Sequence, residues 1–214
     1  MKSIVLLSGG LDSTVCLKKT VDEGNALLAL TFDYGQKAAK KELAAARSIC
    51  RKLKVKHQSV NLRWLGKLGN SALLANNPKV PQLDEGADKK DLQKAARDVW
   101  VANRNGVFIN IGAAFAEGMG CESVVAGFNR DEAELFPDNS VQYLAAANTA
   151  LRFSTLSGVS VASYTAYLSK NEILKLGMDI KAPLDLIWYC YLGGQSPCGR
   201  CQSCINFKKA KESL

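Results

Sequence analysis

The chain has 214 residues, of which 47% are hydrophobic and 22% charged, and a formal net charge of +8. This excludes a disordered or fibrous chain and leaves room for a full core in one domain with a small appendage. No apolar run is long enough to cross a membrane, and the positive charge permits a nucleic-acid partner without requiring one.

Lys2 is the one charged residue ahead of the first apolar run, and no small-residue cleavage site follows it. A signal peptide is therefore not expected, and a cytoplasmic location is. Residues 4–7 (Ile-Val-Leu-Leu) read as a buried strand, followed by Ser8-Gly9-Gly10-Leu11-Asp12-Ser13 and a helix over 13–23 closed by Gly24. Two glycines let the backbone bend and bring N–H groups against a ligand. The helix N-terminus behind them favours an anion. Asp12 would repel phosphate, so it either caps the helix or helps hold Mg²⁺. No lysine follows the glycines, which separates this loop from that of γ-phosphate hydrolases.

A strand over 26–32, a helix over 36–53 and a short strand over 57–62 come next. The helix segment carries Lys37, Lys40, Lys41, Arg47, Arg51, Lys52, Lys54 and Lys56 opposite Leu43, Ala46, Cys50 and Leu53. A solvated basic face is favoured there over a polyanion site. Residues 65–98, with Pro78, Pro81, three glycines and a charged run over 84–94, read as a mobile excursion or lid. A helix over 103–119, a strand over 122–127, a helix over 141–153, a strand over 159–164 and a helix over 170–176 complete the series. This alternation predicts an α/β fold, a doubly wound parallel sheet of about five strands. Ser8, Asp33, Gly127 and Asp131 all follow strand ends, where such sheets bind ligands.

Seven cysteines in a reducing compartment argue for a metal rather than disulfides. Cys190, Cys198, Cys201 and Cys204 form C-x7-C-x2-C-x2-C, which suits a closed, structural Zn²⁺ site. An iron–sulfur cluster and a CxxC redox pair are the competitors. Cys16, Cys50 and Cys121 read as small buried hydrophobes. The expected division is an α/β unit over 1–186 and a four-cysteine tail over 187–214 packed on it.

Ser8–Ser13 matches the SGGxDS loop of N-type ATP pyrophosphatases, which split ATP to AMP and pyrophosphate. Together with the cysteine tail it resembles the 7-cyano-7-deazaguanine synthase family of queuosine and archaeosine biosynthesis, over residues 4–207. The resemblance rests further on Thr31-Phe32-Asp33-Tyr34-Gly35-Gln36, Arg104-Asn105, Gly127 and Asp131, Pro137-Asp138, and Lys170 with Glu172-Ile173. It implies an adenine nucleotide alpha hydrolase-like sheet and an ATP-dependent, C–N bond-forming ligase. In that family ATP adenylates 7-carboxy-7-deazaguanine, ammonia captures the acyl adenylate, and a second ATP dehydrates the amide to the nitrile.

The resemblance implies site residues as well. Ser8, Asp12, Ser13, Arg104 and Lys170 are the expected catalytic set. Leu7, Ser8, Gly9, Gly10, Leu11, Asp12, Ser13, Asp33, Tyr34, Gln36 and Gly127 are expected to bind ATP. Arg104, Asn105, Asp131, Phe136 and Asp138 are expected at the substrate, with Mg²⁺ beside ATP and Zn²⁺ on the four cysteines. A homodimer is expected; tRNA is not favoured as a partner.

The chain departs from the family where the substrate is expected. Between Asp131 and Ser140 it is one residue longer than D-x-S-G-Y-P-D-C-R and carries Glu132, Glu134 and Asn139-Ser140. It also has Ala102 for a proline, Trp188-Tyr189 before Cys190 and Ile205-Asn206-Phe207 without an arginine after Cys204. The two glutamates predict a more acidic pocket. The alternatives are a paralogue adenylating another carboxylate or a tRNA base, and a non-catalytic nucleotide-binding protein.

Overall fold

The structure, a computed structural model, describes residues 1–77, 79–84 and 86–214. Pro78 and Glu85, both within the segment read as an excursion, lie outside the described residues.

Alternation within the first strand organises both layers. Strand β1 (Ser3–Leu6) sends Ile4 to one face and Val5 to the other, as a pleated strand must. It pairs in parallel with β2 (Ala26–Asp33) and with β4 (Ser123–Val125). Strand β3 (Lys56–Asn61) extends the sheet beyond β2, and β5 (Ser160–Ala162) beyond β4, giving the order β3-β2-β1-β4-β5, all parallel. The predicted fold is the one observed.

Helices α1 (Leu11–Asp22) and α2 (Ala39–Leu53) cover the Val5 face. There Cys16, Leu17, Ala46 and Ile49 pack on Val5, Ala29 and Val125. Helices α4 (Arg104–Gly118) and α6 (Val141–Ser154) cover the Ile4 face, with Ile109, Ala113 and Leu151 against Ile4, Leu30 and Val124. Each fully buried aliphatic side chain stabilises by about 1.5–3 kcal/mol relative to exposure. Gly112 permits the close approach of α4, since a Cβ there would come within 3.0 Å of both Leu6 and Val124 side chains. Cys16, Cys50 and Cys121 are all buried, and burial pushes the Cys16 and Cys50 thiols up to about 11 and about 12.

The connection β1–α1–β2 lies on one face and the return through α4 to β4 on the other. The chain therefore reverses direction across the sheet between β1 and β4, and the carboxyl ends of these strands open a crevice there.

The segment read as an excursion is partly core. Ala72, Leu73 and Leu74 are buried in the main cluster, and Lys37 and Ala75 exchange backbone hydrogen bonds with Leu73 and Gly35. Helix α3 (Lys89–Val99) starts on Asp88, whose side chain accepts from the Asp91 amide. Its charged run is the solvent face of an amphipathic helix that buries Ala95, Ala96 and Val99. Charge density concealed the period.

Helix α5 (Arg130–Ala133) follows β4, α7 (Lys170–Asp179) follows β5, and α8 (Gln202–Glu212) closes the chain. A third apolar cluster joins α1, α7 and α8 through Leu11, Val15, Ile173, Leu174, Phe207 and Ala210. No described helix is long and apolar enough to cross a membrane.

Candidate active site

Gly9 sits at φ +82°, and a Cβ on it would lie 2.9 Å from the Glu42 carbonyl oxygen. The turn is thus pressed on α2 and open to glycine alone. Ser8 and Ser13 hydroxyls meet at 3.0 Å, and the Gly10 amide donates to Ser8 Oγ at 3.3 Å. Helix α1 begins at Leu11 with Gly10 as its cap and no side-chain cap bond. Its first amides are left for an anion. Gly127 lets this helix end approach β4, because a Cβ there would be 2.6 Å from the Ser13 nitrogen.

Asp12 is therefore not the helix cap, one of its two expected roles. Its Oδ2 accepts from Lys170 Nζ at 2.7 Å and from Asn129 Nδ2 at 3.0 Å, while Oδ1 is buried without a partner among the described residues. Burial pushes the Asp12 carboxyl up, against the pull of Lys170. A buried acceptor with no donor, at the head of an anion-binding helix, fits a hard cation such as Mg²⁺. Lys170 also donates to Glu132 Oε1 at 2.9 Å. Burial disfavours its charge, but the two carboxylates outweigh burial and raise its pKa. Glu132 is lowered in turn, Lys170 overcoming the effect of burial.

The crevice contains a cavity of about 230 Å³. Of the residues expected there, Leu7, Ser8, Gly10, Leu11, Asp12, Ser13, Tyr34, Gln36, Arg104, Asn105, Gly127 and Lys170 line it. Arg104 Nη1 donates to Tyr34 Oη at 3.5 Å, with the guanidinium 5.9 Å from the Tyr34 ring centre.

Gly9, Asp33, Asp131, Phe136 and Asp138 are not among the lining residues. Asp33 accepts from Arg63 Nη2 at 2.9 Å and Nε at 3.0 Å. Asp131 Oδ2 accepts from the Lys170 amide at 2.7 Å, at the start of α7. The Phe136 ring stacks on Trp100 at 6.3 Å. Burial raises the Asp138 carboxyl, and the Arg104 charge opposes it. Of the two glutamates, Glu134 is exposed and lines no part of the cavity, and Glu132 lines it in an ion pair with Lys170. Lys170 is shared between Glu132 and Asp12, so one positive charge faces two carboxylates there.

Several lining residues stand outside the expected site set, although Trp188, Tyr189 and Phe207 mark departures from the family pattern. Glu42 comes from α2, Phe108 stacks on Phe32 at 4.1 Å, and the tail contributes Trp188, Tyr189, Tyr191, Ser203 and Phe207. The Trp188 amide donates to the Gly9 carbonyl at 2.8 Å, so the tail is tied to the glycine loop itself. A further signal for this wall was the aromatic triplet beside Cys190.

In the tail, the ligand atoms of Cys190, Cys198, Cys201 and Cys204 all lie within 4.8 Å of one another, with Cys198 and Cys204 Sγ 3.9 Å apart. Tetrahedral Zn–S bonds of about 2.3 Å require sulfurs about 3.8 Å apart, so the set fits Zn²⁺. Cys190 Sγ accepts from the Leu192 and Cys198 amides at 3.3 and 3.4 Å, which favours thiolates and fixes their direction.

A family profile described as Queuosine biosynthesis protein QueC matches residues 2–214. The chain belongs to the QueC family. The 7-cyano-7-deazaguanine synthase of Pelotomaculum thermopropionicum is 49% identical over 100% of this chain and 97% of its own length. The protein of the same name from Methanosarcina mazei is 39% identical over 100% of this chain and 95% of its own. In fold, the chain is similar to a predicted subunit of a tRNA methyltransferase from Methanocaldococcus jannaschii. That likeness has a TM-score of 0.50 and 16% identity, and covers 83% of this chain and 74% of that one. Members of the QueC family are synthases, and this chain is an enzyme of that family.

Proposed function

We propose that the protein converts 7-carboxy-7-deazaguanine and ammonia to 7-cyano-7-deazaguanine, using ATP and forming AMP and pyrophosphate through an acyl adenylate. The observation that carries this reading is the convergence of the Ser8–Ser13 loop, Lys170 and Arg104 on one cavity at the β1/β4 crevice. The full-length identity to relatives named for this product supports it.

A carboxylate is a poor electrophile, and a mixed anhydride with AMP supplies a leaving group. The substrate oxygen attacks the α-phosphorus and pyrophosphate departs. Ammonia then attacks the acyl carbon, loses a proton, and AMP leaves with the former carboxylate oxygen. The amide oxygen is adenylated by a second ATP, and loss of AMP and two protons gives the nitrile. The enzyme's part is positioning and charge stabilisation.

In this reading the loop amides and Ser8 and Ser13 hold the leaving pyrophosphate, and Asp12 Oδ1 would hold Mg²⁺, which supplies phosphate charge neutralisation. Leu7, Leu11, Tyr34 and Gly127 line the nucleotide wall. Arg104, with its planar fork, takes the carboxylate or α-phosphate, and Asn105 stands beside it. Asp138 acts through Arg104, Asp131 through the α7 start that bears Lys170, and Phe136 behind Tyr191. Zn²⁺ on the tail orders the 187–214 wall against the 1–186 unit. A homodimer, free ammonia as nitrogen source and a cytoplasmic location belong to the same proposal.

Purified protein given ATP, Mg²⁺, ammonium and the carboxydeazaguanine is expected to form the nitrile, read by mass spectrometry. Changing Ser8→Ala with Asp12→Ala should lower the rate by about 100-fold or more, the scale of losing preorganised charge stabilisation. ATP binding without nitrile formation would show that the altered 131–140 loop selects another carboxylate.

A further inference from the structure

Three carboxylates line the cavity. Asp12 and Glu132 are paired with Lys170. Glu42 forms no ion pair among the described residues. Its Oε2 accepts from Gln36 Nε2 at 2.8 Å. Gln36 is itself locked, donating to the Phe32 carbonyl at 3.0 Å and accepting from the Tyr34 amide at 2.9 Å. Burial pushes the Glu42 carboxyl up, and Arg104 pulls it down without ion-pair contact.

A carboxylate held in place by a fully engaged amide, facing a cavity, needs a donor from the ligand; it can only accept. It repels phosphate, so its complement is another part of the bound molecule. The same cavity is walled by the Phe32–Phe108 stack and by Tyr34, whose ring lies 5.7 Å from Phe108. Flat apolar walls with one acceptor at the side match a fused heterocycle presenting N–H groups at its edge.

Resting on the synthase reading above, we propose that Glu42, positioned by Gln36, is a specificity-determining residue that accepts hydrogen bonds from the amino-bearing edge of a bound purine-type ring. Two ligands carry that chemistry: the adenine of ATP and the aminopyrimidinone of the deazaguanine acceptor.

The test is Glu42→Gln, which keeps the size of the side chain and an oxygen for Gln36 but loses the charge. Calorimetric titrations with a non-hydrolysable ATP analogue plus Mg²⁺, and separately with the carboxydeazaguanine, read the two sources apart. A dissociation constant raised about tenfold or more for one ligand alone, with an unchanged melting temperature, is expected and names the ring that Glu42 reads. Should the variant melt early, Glu42→Asp, which keeps the charge, must retain more affinity for that ligand than Glu42→Gln does. Affinities of Glu42→Gln within twofold of wild type for both ligands, a change only in the Mg²⁺ requirement, or a Glu42→Asp variant no better than Glu42→Gln would overturn the inference. Failure of the synthase reading shows differently, as wild-type protein that forms no nitrile.

Discussion

Replacing Lys170 with methionine is expected to cost about 3 kcal/mol of stability at pH 8, because it strands the largely buried Asp12 carboxylate and the half-buried Glu132 beside it. Lys170 Nζ lies 2.7 Å from Asp12 and 2.9 Å from Glu132, with the lysine and Asp12 side chains each 13% exposed. Methionine fills the space without supplying charge. For a chain of this length the loss corresponds to a melting temperature lower by roughly 10 °C. The pH dependence has a definite sign. Without Lys170, burial dominates at both carboxylates, so their folded pKa values rise above the unfolded ones, about 3.9 and 4.3. A group raised in this way stabilises fully only below its unfolded pKa and loses that contribution as pH rises. The deficit of the variant should therefore be largest at pH 7–8 and shrink toward pH 5. In the wild type, lowered Glu132 acts in the opposite sense, with stability present above about pH 4.3 and lost as pH falls through its folded pKa. Raised Asp12 partly offsets it. Thermal melts of both proteins from pH 5 to pH 8 read this directly. A variant that melts like wild type at pH 8 would mean that the three groups are solvated rather than interlocked.

Removal of the tail metal is expected to abolish ATP binding as well as to unfold the tail. Structural zinc on cysteine ligands contributes apparent free energies of about 10–16 kcal/mol near pH 7, and in small sites that is folding free energy. The small cluster here is chiefly the cysteines themselves, Val80 and the neighbouring aromatic residues. Stripping the metal releases the cysteine loop next to Trp188, which sits on the Gly9 carbonyl, and Tyr189, which stacks on Phe207 at 4.1 Å. All three aromatic residues line the cavity, and only their apolar packing then remains to hold them. Protein purified without added metal should carry one zinc per chain by elemental analysis. After thiol modification and chelation it should melt earlier and lose nucleotide affinity. A brown protein with stoichiometric iron would identify a cluster. Unchanged melting and binding after stripping would show that the tail orders itself.

The sheet was legible because its strands are short β-branched runs between helices with clear apolar periods, and the glycine loop because its meaning is local. Glu42 was not legible. On α2 it reads as one charge among many, and only the turn at Gly9, pressed on that helix, brings it to the cavity. Helix α3 was concealed by its lysines and aspartates. Asp33 is the last residue of β2 and Asp131 follows β4, yet their carboxylates turn to Arg63 and to the Lys170 amide. Strand-end position fixes where a residue's backbone emerges, while its side chain answers to the nearest donor. The aromatic wall of the tail depends on contacts across nearly the whole chain, so the aromatic residues around Cys190 are visible in the sequence but their place at the cavity is not.

Oxygen transfer from substrate to AMP tests the acyl adenylate most directly. With both carboxylate oxygens of the deazaguanine acid labelled with ¹⁸O, each nitrile formed should be accompanied by two AMP molecules, each carrying one labelled oxygen in its phosphate. Label in inorganic phosphate with ADP as the product, or unlabelled AMP with the label retained or lost to water, would contradict activation at the α-phosphorus over the Ser8–Ser13 loop.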